Sequence, residues 1–269
     1  MVSYPDFDLN KREKIVDLNF INRATKGVYE LGSVFKTFTV AAGLEEGLIN
    51  TDTEFLNLEK RLQCGKSSIS EYDNKIPSDL TVEQILIRSG NIGSVRIGQK
   101  LEIIKLKAFL EKIGILSKIN FDIEEVGEPI PFKWGKCKLA TVSFGHGITT
   151  TPLQLAKAYA IISNGGFAVE PSLIKNELKN YQKKKRIIKA GISEKINPIL
   201  RKIVTTKEGT AGFVNIEGYE VGGKTGTAQK TIVGGYSKAK VNTFAGIFPA
   251  SNPKYVLIVL LDEPKTSSD

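Results

Sequence analysis

Three short segments carry residue types that together can transfer an acyl group. The first is Gly32-Ser33-Val34-Phe35-Lys36. If Ser33 opens a helix, Lys36 lies one turn later on the same face, with its amine in reach of the hydroxyl. A serine hydroxyl is a weak nucleophile and needs an adjacent base. A lysine can serve once burial and a neighbouring cation lower its pKa. The helix N-terminus adds a backbone N–H and a positive dipole end where negative charge develops. The second segment is Ser89-Gly90-Asn91, in which a hydroxyl can relay a proton and an amide can hold both a lysine and a substrate amide. The third is Lys224-Thr225-Gly226-Thr227, preceded by Gly222-Gly223. On a strand, Thr225 and Thr227 share one face, where two hydroxyls suit a carboxylate. Gly226 lets a backbone or ligand approach closely, and the N–H of Thr227 can aim at an oxyanion. Lys224 starts from the opposite face, so its place in the site needs its long stem or a twist.

Each segment alone has an ordinary structural meaning: a helix cap with an exposed lysine, a polar turn, a glycine-interrupted edge strand. Their setting narrows the choice. From Gly32 to Leu48 the chain is apolar at helical spacing, closed by Gly47. Thr81-Val-Glu-Gln84 predicts a capped helix start ahead of Ile85, Leu86 and Ile87, and a second helix begins near Ile92. Leu101 to Ile113 reads as an amphipathic helix ended by Gly114. Thr151-Pro152 opens a buried helix that Asn164-Gly165-Gly166 terminates, and Ser193 to Val204 is a further helix with Ser193 as its possible cap. Tyr219–Gln229, Thr243–Phe248 and Tyr255–Leu261 read as strands with a turn from Pro249 to Pro253, and links this short make them antiparallel. Val2 to Phe7 is expected to be a short edge strand marked by Pro5, and Asn10 to Arg23 an irregular connection or short helix. The fold class is α+β, helix-rich in the middle, with a mainly antiparallel sheet built from the C-terminal end.

Composition removes other classes. The 269 residues hold 38 Lys and Arg against 29 Asp and Glu, a net charge of +9. Much of the excess sits in Lys183, Lys184, Lys185, Arg186 and Lys189, read as a solvated loop or exposed helix end. No aromatic interleaving or RNA-binding motif accompanies it, so no nucleic-acid partner is expected. No apolar run is long enough to span a bilayer. Cys64 and Cys137 lack metal-ligand spacing, which leaves no metal site, while a disulfide between them is neither claimed nor excluded. His146 is the only histidine, and no nucleophile elbow exists to pair with it.

S-x-x-K, S-D-N and K-T-G, in that order, are the signature of penicillin-binding proteins and class A β-lactamases, and Ser33 to Lys36, Ser89-Gly90-Asn91 and Lys224 to Gly226 resemble it in the same order. Beyond it, the chain resembles class B penicillin-binding proteins over nearly its whole length. Asn22-Arg23-Ala24 and Tyr29-Glu30-Leu31-Gly32-Ser33 resemble the approach to the nucleophile, with Leu31 where proline is usual. Ser143-Phe144-Gly145-His146-Gly147-Ile148, then Thr151-Pro152-Leu153-Gln154-Leu155-Ala156, is similar to the glycine loop and following helix, and places His146 at the edge of the site. Gly218-Tyr219 through Gln229 is similar to the approach to the third motif. Asp262-Glu263-Pro264-Lys265 resembles the division-specific branch.

The resemblance implies a penicillin-binding protein/serine β-lactamase-like fold, with an all-helical subdomain, residues 50–170 or so, inserted into the sheet subdomain. It implies a peptidoglycan D,D-transpeptidase without cofactors, in which Ser33 attacks the penultimate D-Ala carbonyl and Lys36 is the base. Ser89 and Asn91 pass a proton to the leaving D-Ala. Lys224 and Thr225 hold the terminal carboxylate, Gly226 admits the substrate, and the N–H groups of Ser33 and Thr227 form the oxyanion hole. Stem peptides and β-lactams are the implied ligands, division-complex membrane proteins the partners, and the extracytoplasmic face of the bacterial inner membrane the location. Relatives carry a membrane anchor and another domain before this region and a helix after it, so the chain is expected to be a fragment of a longer protein. The rivals are a D,D-carboxypeptidase, a β-lactamase, a β-lactam sensor and a division scaffold. Glu124, Glu125 and Glu128 lie between the second and third motifs without the glutamate–asparagine pattern of class A enzymes, and are read as a solvated loop.

Overall fold

Helix α1, Lys36–Glu45, is buried along its whole length, Lys36, Thr37 and Thr39 included. A helix with no solvent face must sit inside the molecule, and α1 packs against α2, α3 and α6. The computed structural model describes residues 1–6, 8, 10, 20–65, 67–175, 185–232 and 235–265. The predicted helix from Gly32 to Leu48 is shorter than expected. Gly32–Phe35 forms a 3₁₀ turn, α1 follows, and the chain leaves at Gly47, whose φ of 68° suits glycine.

Two other helices start as the sequence predicts. Thr81 and Gln84 make a reciprocal capping box before α2, Val82–Ile87, and Thr151 and Gln154 do the same before α5, Pro152–Ser163. The expected pair of helices after Asn91 is one stretch, α3, Asn91–Lys112, interrupted at Glu102, where φ 60° and ψ 172° are not helical. It ends before Gly114, at φ 82°. Helix α4 is Lys136–Val142, and α6 runs from Ala190 to Thr205. Ser193 therefore lies inside α6 instead of capping it. Its hydroxyl donates to Ile162 O and accepts from Gly165 N at 2.8 Å, tying α6 to the end of α5.

The main sheet has the order β5-β6-β7, all antiparallel, with β5 Gly222–Ile232, β6 Gly235–Phe248 and β7 Tyr255–Asp262. Helices α5 and α6 cover one of its faces, α6 against β5 and α5 against β6 and β7. Two two-stranded ribbons lie in the middle of the chain: β1, Glu54–Phe55, with β4, Leu80–Thr81, and β2, Arg61–Cys64, with β3, Ser67–Ser70. Cys64 on β2 and Cys137 on α4 form a disulfide, with their Cα atoms 5.4 Å apart. The sequence had left this pairing open.

The N-terminal segment departs from the expected edge strand. Val2 to Asp6 is irregular, not a strand. Val2 and Tyr4 point into solvent and, among the described residues, no strand pairs with them; the Ser3 hydroxyl instead accepts from Arg23 N at 2.8 Å. Most of the expected connection from Asn10 to Arg23, and Lys183 and Lys184 of the basic cluster, lie outside the described residues. Arg186 and Lys189 are exposed yet anchored, Arg186 stacked 4.4 Å from the Phe167 ring and Lys189 bonded to Glu45 through both its amide and its amine. Arg23 and Asp262, both in motifs that carried the family resemblance, pair with each other at 2.7 Å. Among the described residues, no helix is long and apolar enough to cross a membrane.

The disulfide closes a 73-residue separation. Cross-linking a loop of that size restricts the unfolded chain by about 4 kcal/mol. Reduction, or a Cys64→Ala/Cys137→Ala variant, is expected to lower the unfolding free energy by roughly that amount. Denaturant titration with and without reductant measures it; coincident midpoints would show that the bridge adds nothing to the fold.

Candidate active site

The turn carrying Ser33 is clamped between backbones. At Gly32, φ is 62°, and a Cβ built there would stand 2.5 Å from Thr227 O. On the opposing strand, a Cβ at Gly226 would stand 2.3 Å from Leu31 O. Both positions exclude any side chain, and β5 lies directly against the 3₁₀ turn as a result. Ser33, Thr225, Gly226 and Thr227 thereby come to one wall of a cavity of about 520 Å³, which Ser89, Asn91 and Thr210 also line.

Behind this wall two lysines are fully buried. The amine of Lys36 donates to Ser89 O, to Ser89 Oγ at 3.1 Å and to Asn91 Oδ1 at 2.7 Å. That of Lys224 donates to the same Ser89 Oγ at 2.9 Å and to Thr225 O at 3.0 Å. The long stem anticipated for Lys224 is what brings its amine across the strand. One serine hydroxyl therefore lies between two amines. The backbone of Ser89 makes this possible: at φ 58° it is left-handed, uncommon for a non-glycine residue, and presents its carbonyl and hydroxyl to one amine.

Burial drives the electrostatics. Lys36 is pushed down to about 7, foremost by desolvation, and the Glu71 carboxylate partly opposes the change. The neighbouring cation expected to contribute is not the cause at Lys36. It acts the other way: Lys224 is lowered well below the usual amine range by burial first and by Lys36 second. Near neutral pH the site can thus hold an unprotonated amine, and a neutral lysine can accept a proton from a hydroxyl.

Several supports carried no signal in the sequence. Thr210, in the connection after α6, places its hydroxyl 2.7 Å from that of Thr225. Tyr159 of α5 donates to Val34 O at 2.9 Å and meets Thr37 Oγ1 at 2.9 Å, bracing the nucleophile turn from behind. Thr39 on α1 holds Ser143 O at 2.8 Å. His146 lines the cavity as expected of an edge residue, its ring between those of Phe144 and Tyr236 and its Nδ1 3.6 Å from Glu30. Glu124, Glu125 and Glu128 are exposed and do not line the cavity, and Glu125 accepts from Asn22 N at 2.8 Å.

The sequence matches the penicillin binding protein transpeptidase domain family over residues 1–269. It is 31% identical, over its whole length, to the probable peptidoglycan D,D-transpeptidase FtsI of Caulobacter vibrioides, covering 47% of that protein. It is 32% identical over 98% of its length to stage V sporulation protein D of Bacillus subtilis, covering 43% of it. The chain spans about half the length of these curated relatives. Among solved structures, the transpeptidase domain of penicillin-binding protein 3 from Burkholderia pseudomallei superposes with a TM-score of 0.83 at 26% identity, covering 90% of this chain and 74% of that one. Penicillin-binding protein 3 of Mycobacterium tuberculosis in complex with aztreonam gives 0.81 at 26% identity, over 91% of this chain and 59% of that one.

The buried amine has a thermodynamic signature. Unfolded, Lys36 holds its proton up to about the ordinary 10.5; folded, it releases it near 7. The unfolded chain binds the extra proton across that window, so stability must rise with pH from about 7 towards 10.5, by several kcal/mol from this group. Lys36→Met is expected to flatten the rise in melting temperature between neutral and alkaline pH, leaving the slope due to Lys224. A variant slope equal to that of the wild type would mean that Lys36 stays charged in the fold.

Proposed function

We propose a reaction for this chain, which belongs to the class B branch of the penicillin-binding protein transpeptidase family: a peptidoglycan D,D-transpeptidase that works through an acyl-enzyme on Ser33. The observation that carries it is the Ser89 hydroxyl held between two buried amines, in a residue that lines the same cavity as Ser33. In this reading neutral Lys36 takes the Ser33 proton as the oxygen attacks the penultimate D-Ala carbonyl of a stem peptide. The N–H groups of Ser33 and Thr227 receive the oxyanion, in keeping with the tight apposition of the turn and β5. The proton passes through Ser89 to the departing D-Ala, and Asn91 orients Lys36. Lys224 supports the wall while Thr225, with Thr210 beside it, binds the terminal carboxylate. An amine of a second stem peptide then accepts the acyl group.

β-Lactams present a similar carbonyl and carboxylate and are read as acylating the same serine. Among the described residues that line the cavity there is no carboxylate, and the glutamates of the 124–128 loop are exposed outside that lining. A long-lived acyl-enzyme is thus expected rather than β-lactamase turnover. A disulfide between Cys64 and Cys137 fits an oxidising compartment, which supports work on the extracytoplasmic side of the membrane. The Asp262-Glu263-Pro264-Lys265 resemblance favours septal synthesis, with division-complex membrane proteins as partners. We also read residues 50–170 as a subdomain, mainly helical but holding the ribbons β1–β4 and β2–β3 where all helix was expected, that supplies Ser89 and Asn91 to a cleft whose other wall is β5.

A fluorescent penicillin is expected to label the folded protein at Ser33, as found by peptide mapping, and to leave Ser33→Ala unlabelled. Unchanged labelling of a folded Ser33→Ala variant would sink the assignment. The labelling rate should climb as pH is raised through about 7, where Lys36 loses its proton. A rate independent of pH from 5.5 to 8.5, roughly the span over which such a group titrates, would remove Lys36 as the base.

A further inference from the structure

Asn91 owes its orientation to a segment far from any of the three motifs. The first turn of α3 leaves amide N–H groups that need acceptors, and its N-cap, Gly90, has no side chain to offer one. Glu71, which directly follows β3, fills that place. One carboxylate oxygen accepts from Asn91 N at 2.6 Å and the other from Ile92 N at 2.9 Å. The preceding residue completes the grip: Ser70 O accepts from Asn91 Nδ2 at 2.9 Å. A carbonyl can bond only the NH₂ side of an amide, so Oδ1 must face the other way, onto Lys36.

The consequence reaches the amine. Ser89 O and Asn91 Oδ1 accept and cannot donate, so a neutral Lys36 must spend both its N–H groups on them. Its one lone pair is then left for a hydroxyl. Turning Asn91 over would set its NH₂ against the lysine and undo this arrangement. The carboxylate also acts at a distance. Among the charged groups around Lys36, Glu71 favours its protonated form, while the other amine, Lys224 on β5, is itself lowered well below the usual range by burial first and by Lys36 second. Other charges on and beside the packed helices face partners away from Lys36: Glu83 of α2 pairs with Lys202 of α6, Arg96 of α3 with Glu59, and Arg88 with Glu208.

We propose that Glu71 is a positioning residue for the acyl-transfer site: it caps α3, fixes Asn91 with Oδ1 towards Lys36, and so aims the lysine lone pair at the reacting hydroxyls. This rests on the acyl-enzyme reading above for its effect on rate, but its effect on Lys36 can be measured without any reaction.

Two variants separate charge from reach. Glu71→Gln keeps the size, loses the charge and turns an NH₂ towards one of the two amide N–H groups. Glu71→Asp keeps the charge and shortens the reach by one methylene. In Glu71→Gln the plateau rate of labelling by fluorescent penicillin is expected to fall by about tenfold or more. Its acid limb should move to lower pH, because the charge that helped hold the Lys36 proton is gone. In Glu71→Asp the plateau should also fall while the limb stays in place. In parallel, ¹³C-labelled lysine side chains titrated by NMR should show the Lys36 resonance ionising at lower pH in Glu71→Gln. That holds even for a protein penicillin does not label, so failure of the functional reading and failure of this one are distinguishable. If both variants lose only melting temperature, with plateau rate, limb and lysine titration unchanged, Glu71 is a helix cap and nothing more. A folded Glu71→Asp variant with full plateau rate would equally overturn the positioning role.

Discussion

Two amines are buried around one hydroxyl, and most of the architecture can be read as what that arrangement requires. Lys36 and Lys224 have no exposed surface. Keeping either charged in such a place is costly, and keeping both charged more so. The fold meets this with acceptors fixed in advance: the carbonyl and hydroxyl of Ser89, the amide oxygen of Asn91 and the carbonyl of Thr225. It also lets the amines lose their protons. The left-handed backbone at Ser89 follows from the same need, since one residue must turn two oxygen atoms towards one nitrogen. Strain at that corner persists because the neighbours over-determine it.

The second requirement is rigidity of the wall that faces the substrate. Glycines at 32 and 226 let the turn and the strand touch backbone to backbone, closer than any side chain would allow. Such contacts do not adapt. Tyr159 and Thr39 then fix the buried side of the same turn and helix to α5 and to the glycine loop. Because these bonds run between elements distant in sequence, the position of Ser33 depends on the assembled core and not on its own helix. The 3₁₀ turn where a longer α-helix was predicted has the same origin. The local sequence favours continuous helix, but the left-handed Gly32 and the press of β5 impose a tighter turn.

Legibility in the sequence followed locality. Helix starts at Thr81 and Thr151, the end at Gly114 and the antiparallel order of the last strands depend on residues a few positions apart, and the reading placed them well. The motif residues were recognisable because their types and order are rare together, and the structure brings Ser33, Ser89, Asn91, Thr225, Gly226 and Thr227 to one cavity with both lysines behind it. Thr210, Tyr159 and Glu71 were not visible, since each acts on a partner 15 or more positions away and nothing local marks it. The strand expected at Val2–Phe7 failed for the converse reason. Alternation in the sequence cannot show whether a partner strand is present, and here Val2 and Tyr4 face water.

The ribbon β2–β3 shows how stability and chemistry are joined in this molecule. It is short, mostly exposed and adds little to the core, with Ile69 as its one deeply buried apolar side chain. Such a ribbon is marginal by itself. Yet its last residue and the one after it set the orientation of Asn91. The disulfide resolves the mismatch. Cys64 ties the ribbon to α4, and α4 leads directly into the glycine loop on the other side of the cavity. One covalent link therefore fixes the two peripheral pieces that border the site to each other, while the core holds the third. A weakly packed element can then govern a lysine that lies fully buried behind the cavity wall, because its own freedom has been removed elsewhere.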